Sequence, residues 1–378
     1  MFLKTVMERN QPLVRLGIEW QQNGVILPDT YLLDYDTILE NARSIKQAGD
    51  ANGVQNFFML KQIGRNPLIA RALTDMGYVG AVCVDFREAL TMVENQIPLG
   101  NVGHLVQIPR AALKKILRAK PVIVTVYTLE KAREISAVCT ELGLHQKLML
   151  RVLGDGDMLY SGQYGGFELQ ELDSAVRAIE AMPNVEVGGV CSFPCFLYDE
   201  AVQDILPMPN LRTVQTAAEM LRARGYRDLM LNTPSATCTH SIPMIAAAGG
   251  THGEPGHGLT GTTPYHAGHP DAEERPGYLY VSEVSHNLGD KAYCYGGGHY
   301  RRGHMKNALV GTTPENAKVV PVLPPDDSSI DYHFELQQNC PVSAAAVMAF
   351  RTQFFVTRSR VAVVKGLSSG KPELAGLY

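Results

Sequence analysis

The sequence has no surplus charge of either sign: 34 Lys and Arg stand against 38 Asp and Glu, for a net charge of −4. That balance removes the electrostatic case for nucleic acid or an anionic membrane surface as a partner. No run approaches the roughly 20 apolar residues that a spanning helix needs. The opening MFLKTVMERNQPLV shows no signal-peptide pattern. Seven cysteines lack a disulfide-scaffold rhythm, so a reducing cytoplasm is the expected compartment. The one close pair, Cys191 and Cys195 in CSFPC, has CxxxC spacing and no second pair to complete a zinc site. His252, His257, His266 and His269 fall in loops without HExxH or finger spacing, and no metal is expected. Internal repeats, low-complexity tracts and a GxGxxG after the first strand are also absent.

What is present fits a soluble enzyme of 378 residues, 45% apolar and 19% charged, long enough for two domains. From Thr30 short apolar runs alternate with amphipathic segments. The runs are YLLDYD (31–36), NFFMLK (56–61), GAVCVD (80–85), GHLVQI (103–108), VIVTVY (122–127), LMLRVL (148–153), VGGVCSF (187–193) and LMLNTP (229–234). Eight such strands, near-continuously apolar, predict an α/β fold: a parallel (β/α)8 barrel of the TIM type over 30–265 rather than an open doubly wound sheet. Asn66 is the expected N-cap of a helix with Pro67 in its first turn. Later runs such as YLYVSEVSH and RTQFFVTRSRVAVV predict a C-terminal, mostly β domain over 266–378. Residues 1–29 are expected to form a helical segment packing between the domains.

Three stretches carry candidate chemistry. In FFMLKQIGRNP, Lys61 closes the second expected strand, on the barrel rim where active sites lie. Burial there favours the neutral amine that Schiff-base chemistry needs, although a lysine can also snorkel to solvent. GGTHGEPGHGLTG, with Ser235 and Thr237 just upstream, offers glycines and donors for an anion, or else a flexible connection. Glu254 within it suits a cation such as a protonated ring nitrogen. KAYCYGGGHYRRGH supplies Cys294, Tyr295 and His299 for proton exchange and Arg301 and Arg302 for a carboxylate, or simply a Gly-rich hairpin.

These features, in this order, resemble the fold-type III pyridoxal-phosphate enzymes: alanine racemase and its relatives, including basic amino acid decarboxylases. The similarity runs from YLLDYDTILENARSI to RTQFFVTRS, nearly the whole chain. The resemblance implies pyridoxal 5'-phosphate held covalently by Lys61. It places Glu254 at the ring nitrogen, Gly256, His257 and Ser235 near the phosphate, and Arg151 beside the cofactor. Tyr295, or Cys294 next to it, would be the second proton-transfer base, entering from the partner subunit of a head-to-tail homodimer with shared sites. Departures are equally specific. Alanine racemases carry arginine where this chain has Glu254. Ser192 takes the place of a cofactor-stacking histidine on the seventh expected strand. KQIGRN replaces KANAYG, and no decarboxylase-type CDG motif is present. The expected activity is an amino acid racemase or epimerase using two bases at Cα. The alternatives are D-amino acid dehydratase, aldolase or decarboxylase chemistry, or a non-catalytic cofactor-binding protein.

Overall fold

Short runs of aliphatic and β-branched residues become strands buried on both faces, such as Ala81–Cys83 and Ile123–Val126. The computed structural model describes residues 2–378, and the chain divides into two compact units.

One unit comprises Arg43–Leu60 and Pro67–Gly256. Its sheet runs Gln55–Asn56, His252–Gly253, Met230–Asn232, Val185–Cys191, Gln146–Leu153, Ile123–Val126, Leu99–Val102, Ala81–Cys83, Phe58–Met59. Every neighbouring pair is parallel. Only Phe57 separates the first and last members, which makes them halves of one strand. Asn56 pairs with Gly253 on one side and Phe58 with Ala81 on the other. The sheet thereby closes into an eight-stranded barrel of the TIM type. Helices fill the crossovers. Asp85 caps Phe86–Glu94 by accepting from the Glu88 amide at 2.9 Å. Leu129–Leu142 starts at Thr128 and stops at Gly143, whose φ of 64° suits a residue without Cβ. The helix Pro67–Asp75 begins at the proline, as the spacing predicts.

The other unit comprises the residues through Ala42, Lys61–Asn66 and His257–Tyr378. Its nine strands run Lys291–Tyr295, His333–Leu336, Lys318–Leu323, Asn307–Gly311, Ala345–Met348, Tyr278–Leu288, Thr30–Asp34, Arg360–Lys365, Glu373–Leu377. The long strand Tyr278–Leu288 also pairs with Lys291–Tyr295, past a bulge between Val284 and His286. The first six strands therefore close into a ring. Helices Leu3–Arg9 and Gln11–Gln22 pack on this sheet, joining Leu3, Val6, Leu13 and Leu16 to Leu279, Val281 and Val347 in one core. Asn10 ties them down, donating to Asp34 Oδ2 at 2.9 Å.

The expected class, a barrel followed by a mostly β domain, is the observed one, but two strands differ. Thr30–Asp34 does not open the barrel. It lies in the β unit, antiparallel to Tyr278–Leu288 and parallel to Arg360–Lys365. Buried at every position, TYLLD has the apolar pattern of a barrel strand, and periodicity cannot separate the two cases. GHLVQI is a connection after the true strand Leu99–Val102. The eighth barrel strand is His252–Gly253, only two residues long and hidden inside the Gly-rich stretch. Lys61 accordingly follows the first barrel strand, and Ser192 the sixth, each one strand earlier than expected. Among the described residues no helix is long and apolar enough to cross a membrane.

Candidate active site

In the barrel unit, polar side chains gather at the C-terminal ends of the strands, where residues interior to a buried sheet first meet open space. Glu254, directly after the last strand, is buried at 5% exposure. Its Oε1 accepts from Asn232 Nδ2 at 2.6 Å and Asn101 Nδ2 at 3.1 Å. The Asn101 amide is oriented by its own oxygen, which accepts from Thr125 Oγ1 at 2.7 Å. Its NH2 group must then face the carboxylate. Glu254 Oε2 has no hydrogen-bond partner among the described residues. His104 Nε2 lies 3.6 Å from it, beyond hydrogen-bond reach, with the ring edge-on to Phe193. Thr237 Oγ1 accepts from the Glu254 amide at 3.2 Å, fixing the backbone that presents the carboxylate.

Arg151, one of the most completely buried side chains, stands on the strand Gln146–Leu153. It donates to the Tyr127 hydroxyl and the Gln163 carbonyl, both at 2.8 Å, and its guanidinium lies 4.9 Å from the Tyr127 ring centroid. Arg151 Nε is buried without a partner among the described residues. The Tyr127 hydroxyl donates to the His104 carbonyl at 2.6 Å, so Arg151, Tyr127 and His104 form one braced chain. Burial raises the Tyr127 hydroxyl above its ordinary pKa, against the pull of Arg151. Ser192 accepts from Asn210 Nδ2 at 3.1 Å, and Ser235 Oγ donates to the Phe196 carbonyl at 2.6 Å. Gly256 ends this unit.

In the β unit, Lys61 is 7% exposed, and its carbonyl accepts from the Phe354 amide at 3.0 Å. His257 shares this region. Burial, then the charges of Arg351 and Lys61, hold its imidazole well below the ordinary histidine pKa. Cys294 is fully buried, and burial pushes its thiol up to about 12, which deprives it of the thiolate a proton-accepting cysteine needs. Tyr295, its neighbour, is 39% exposed, with its ring 5.9 Å from that of His333. Arg301 pairs at the surface with Asp327, whereas Arg302 stands near enough to His257 to depress it.

The structure thus groups Arg151, Ser192, Ser235, Thr237, Glu254 and Gly256 in the barrel unit, and Lys61, His257, Cys294 and Tyr295 in the β unit. Sequence reasoning missed Asn101, Thr125, His104, Tyr127, Asn232 and Arg351. An asparagine within an apolar barrel strand was the available signal for Asn101 and Asn232, because a buried amide needs a partner.

Glu254 offers a direct test for a pyridine-type cofactor. Two amide donors saturate one carboxylate oxygen and leave the other bare in a buried place. A cationic ring N–H satisfies that oxygen, and the donor set fits.

The comparisons with known proteins agree. The model for "Alanine racemase, N-terminal domain" matches residues 33–264, and that for "YhfX-like, C-terminal domain" matches residues 279–374. The chain is 43% identical to the "Uncharacterized protein YhfX" of Escherichia coli (strain K12), over 100% of this chain and 98% of that one. An alanine racemase of Clostridium difficile 630 superposes with a TM-score of 0.63 at 14% identity, covering 92% of this chain and 97% of that one. D-threo-3-hydroxyaspartate dehydratase from Delftia sp. HT23 gives 0.64 at 16%, covering 91% and 95%. D-threonine aldolase from Filomicrobium marinum gives 0.63 at 17%, covering 86% and 87%. With the family model spanning more than half its length, the chain belongs to the alanine racemase-like, fold-type III family of pyridoxal-phosphate enzymes.

Proposed function

We propose that this protein is a pyridoxal 5'-phosphate-dependent amino acid racemase or epimerase. The observation that carries the reading is Glu254, with Oε1 doubly hydrogen-bonded and Oε2 bare. Bound through Lys61, the cofactor supplies an electron sink for the charge left when Cα loses its proton. Glu254 Oε2 would hold a proton on the ring nitrogen and so deepen that sink, and Asn101 and Asn232 hold the carboxylate in place. The Lys61 amine takes or returns the Cα proton on one face. Tyr295 performs the opposite transfer, contributed by the second copy in a homodimer; its exposure in one chain suits that role, and Cys294 is the weaker candidate. Ser235 and Thr237 are the proposed hydroxyls for the phosphate, with Gly256 and His257 beside it, while Arg151 and Ser192 flank the cofactor. Seven buried free thiols fit a reducing cytoplasm.

Borohydride treatment of purified protein followed by peptide mass mapping tests the anchor. A pyridoxyl group on Lys61, absent from Lys61→Ala, is the expected result, and a chain that takes up no cofactor sinks the reading. Deuterium uptake at Cα across an amino acid panel then tests the reaction. Release of ammonia, aldehyde or CO2 instead assigns dehydratase, aldolase or decarboxylase chemistry.

A further inference from the structure

Tyr295 reaches the surface, yet the turn that follows it is pinned from several sides within the β unit. The Ser282 hydroxyl donates to the Tyr295 carbonyl at 2.6 Å, and the Gly296 amide donates to the Tyr332 carbonyl at 2.8 Å. The Gly297 and His299 amides both donate to Asp331 Oδ2, each at 3.2 Å. The Gly298 carbonyl accepts from the Tyr31 hydroxyl at 2.5 Å, and the Gly297 carbonyl from the Arg358 amide at 3.3 Å. Of these partners only the Asp331 side chain holds two residues of the turn at once. Amides converging on one anionic oxygen form a nest, and a charged acceptor strengthens both bonds.

The segment that carries Asp331 is itself fitted to the turn. A Cβ on Gly296 would come within 2.5 Å of the Asp331 carbonyl oxygen, a spacing that only glycine allows. That same oxygen accepts from Arg358 NH2 at 2.7 Å. Asp331 stands at φ 60°, in the left-handed region that aspartate tolerates better than most residues. Two residues on, His333 is the strand partner of Tyr295. On its open side Tyr295 lines a cavity of about 540 Å³ with Tyr332, His333 and Arg358. The backbone of Tyr295 is therefore fixed from behind while its ring borders open space.

We propose that Asp331 is the positioning residue for Tyr295, holding the 296–299 turn so that the phenol oxygen meets Cα of an amino acid bound at the Lys61 of a second copy. The inference deepens the racemase reading and rests on it. Tyr295 and Asp331 travel on one chain, so the brace is complete before the copies meet. On the Tyr295 face the Cα–H bond breaks as the phenolate oxygen takes the proton, and the electron pair passes to the sink named above. Lys61 does the same on the other face. A turn set loose by loss of Asp331 therefore impairs one enantiomer, which a general loss of stability cannot do.

The first arm needs no cofactor: amide hydrogen exchange of the peptide spanning 295–299, followed by mass spectrometry. Asp331→Gly, which keeps the left-handed backbone and removes the carboxylate, should exchange faster there and be unchanged at Ala345–Met348. Asp331→Asn keeps an acceptor oxygen and should restore protection. The second arm follows Cα deuterium uptake from each enantiomer of a substrate separately, with cofactor bound. Asp331→Gly should lose about tenfold or more for one enantiomer and keep the other, and Asp331→Asn should recover most of the loss. Asp331→Ser, which costs less chain entropy than glycine, serves if Asp331→Gly does not fold. Unchanged amide exchange at 295–299, or an equal fall for both enantiomers, would overturn the proposal. If the wild type exchanges neither enantiomer, the racemase reading fails and takes the catalytic role with it, while the first arm still decides whether Asp331 holds the turn.

Discussion

At the scale of single residues, the barrel unit places two titratable groups in opposite circumstances. Glu254 has two amide donors on one oxygen and a bare second oxygen. Glu254→Gln keeps the volume and removes the charge proposed to hold a ring proton. Turnover at saturating cofactor should fall about 10²-fold or more while the pyridoxyl adduct on Lys61 still forms, as kinetics and mass mapping will show. His252, buried against Phe57 with a ring separation of 5.1 Å, is driven by desolvation down to about 4. An unfolded histidine titrates near 6.5. Between those values the unfolded chain binds the proton and the folded one does not, so this contribution is intact above about pH 6.5 and is lost as pH falls toward 4. The slope is at most about 1.4 kcal/mol per pH unit. Urea titrations across that window should show a shallower slope in His252→Phe than in the wild type.

At the scale of elements, the barrel seam depends on glycine. A Cβ on Gly100 would meet Phe57 Cδ1 at 2.5 Å and the Gly80 carbonyl at 2.9 Å, atoms fixed by the closing strand. Gly100→Ala should therefore destabilise the fold by about 1–3 kcal/mol, measurable by chemical denaturation, despite an alanine being small. Elements of ordinary length were legible in the sequence: Ile123–Val126, Gln146–Leu153 and Val185–Cys191 fall where apolar runs place them, and Pro67 opens the helix expected there. Two-residue strands were not, because His252–Gly253 is too short to show a period. Nor does any local pattern tell TYLLD in the mixed sheet of the β unit from TYLLD in a barrel, since both environments bury both faces. The candidate site divides along the same line. Lys61 and Glu254 sit in compact motifs, whereas Asn101 and Asn232 reach Glu254 from two different strands and Thr125 orients Asn101 from a third. Arg351 meets His257 across almost a hundred positions of sequence, where nothing local records the pairing.

At the scale of the whole molecule, neither unit is continuous in sequence: the β unit takes in residues up to Ala42, then Lys61–Asn66, then His257–Tyr378. Residues 257–378 expressed alone lack Thr30–Asp34, which lies between Tyr278–Leu288 and Arg360–Lys365 and is their common neighbour. That fragment should fail to give a cooperative unfolding transition and should aggregate through the two exposed edges, as circular dichroism and size-exclusion chromatography will report. A fragment that melts cooperatively as a monomer would contradict this. The same inserted strand has a meaning for synthesis. Thr30–Asp34 leaves the ribosome about 240 residues before its first partner strand, a wait of roughly 12–50 s at 5–20 residues per second. Through that interval a five-residue segment, buried at every position in the finished fold, has no native edge to join. Its protection during translation, by chaperones or by early docking on the nascent chain, becomes part of how the cell obtains this protein.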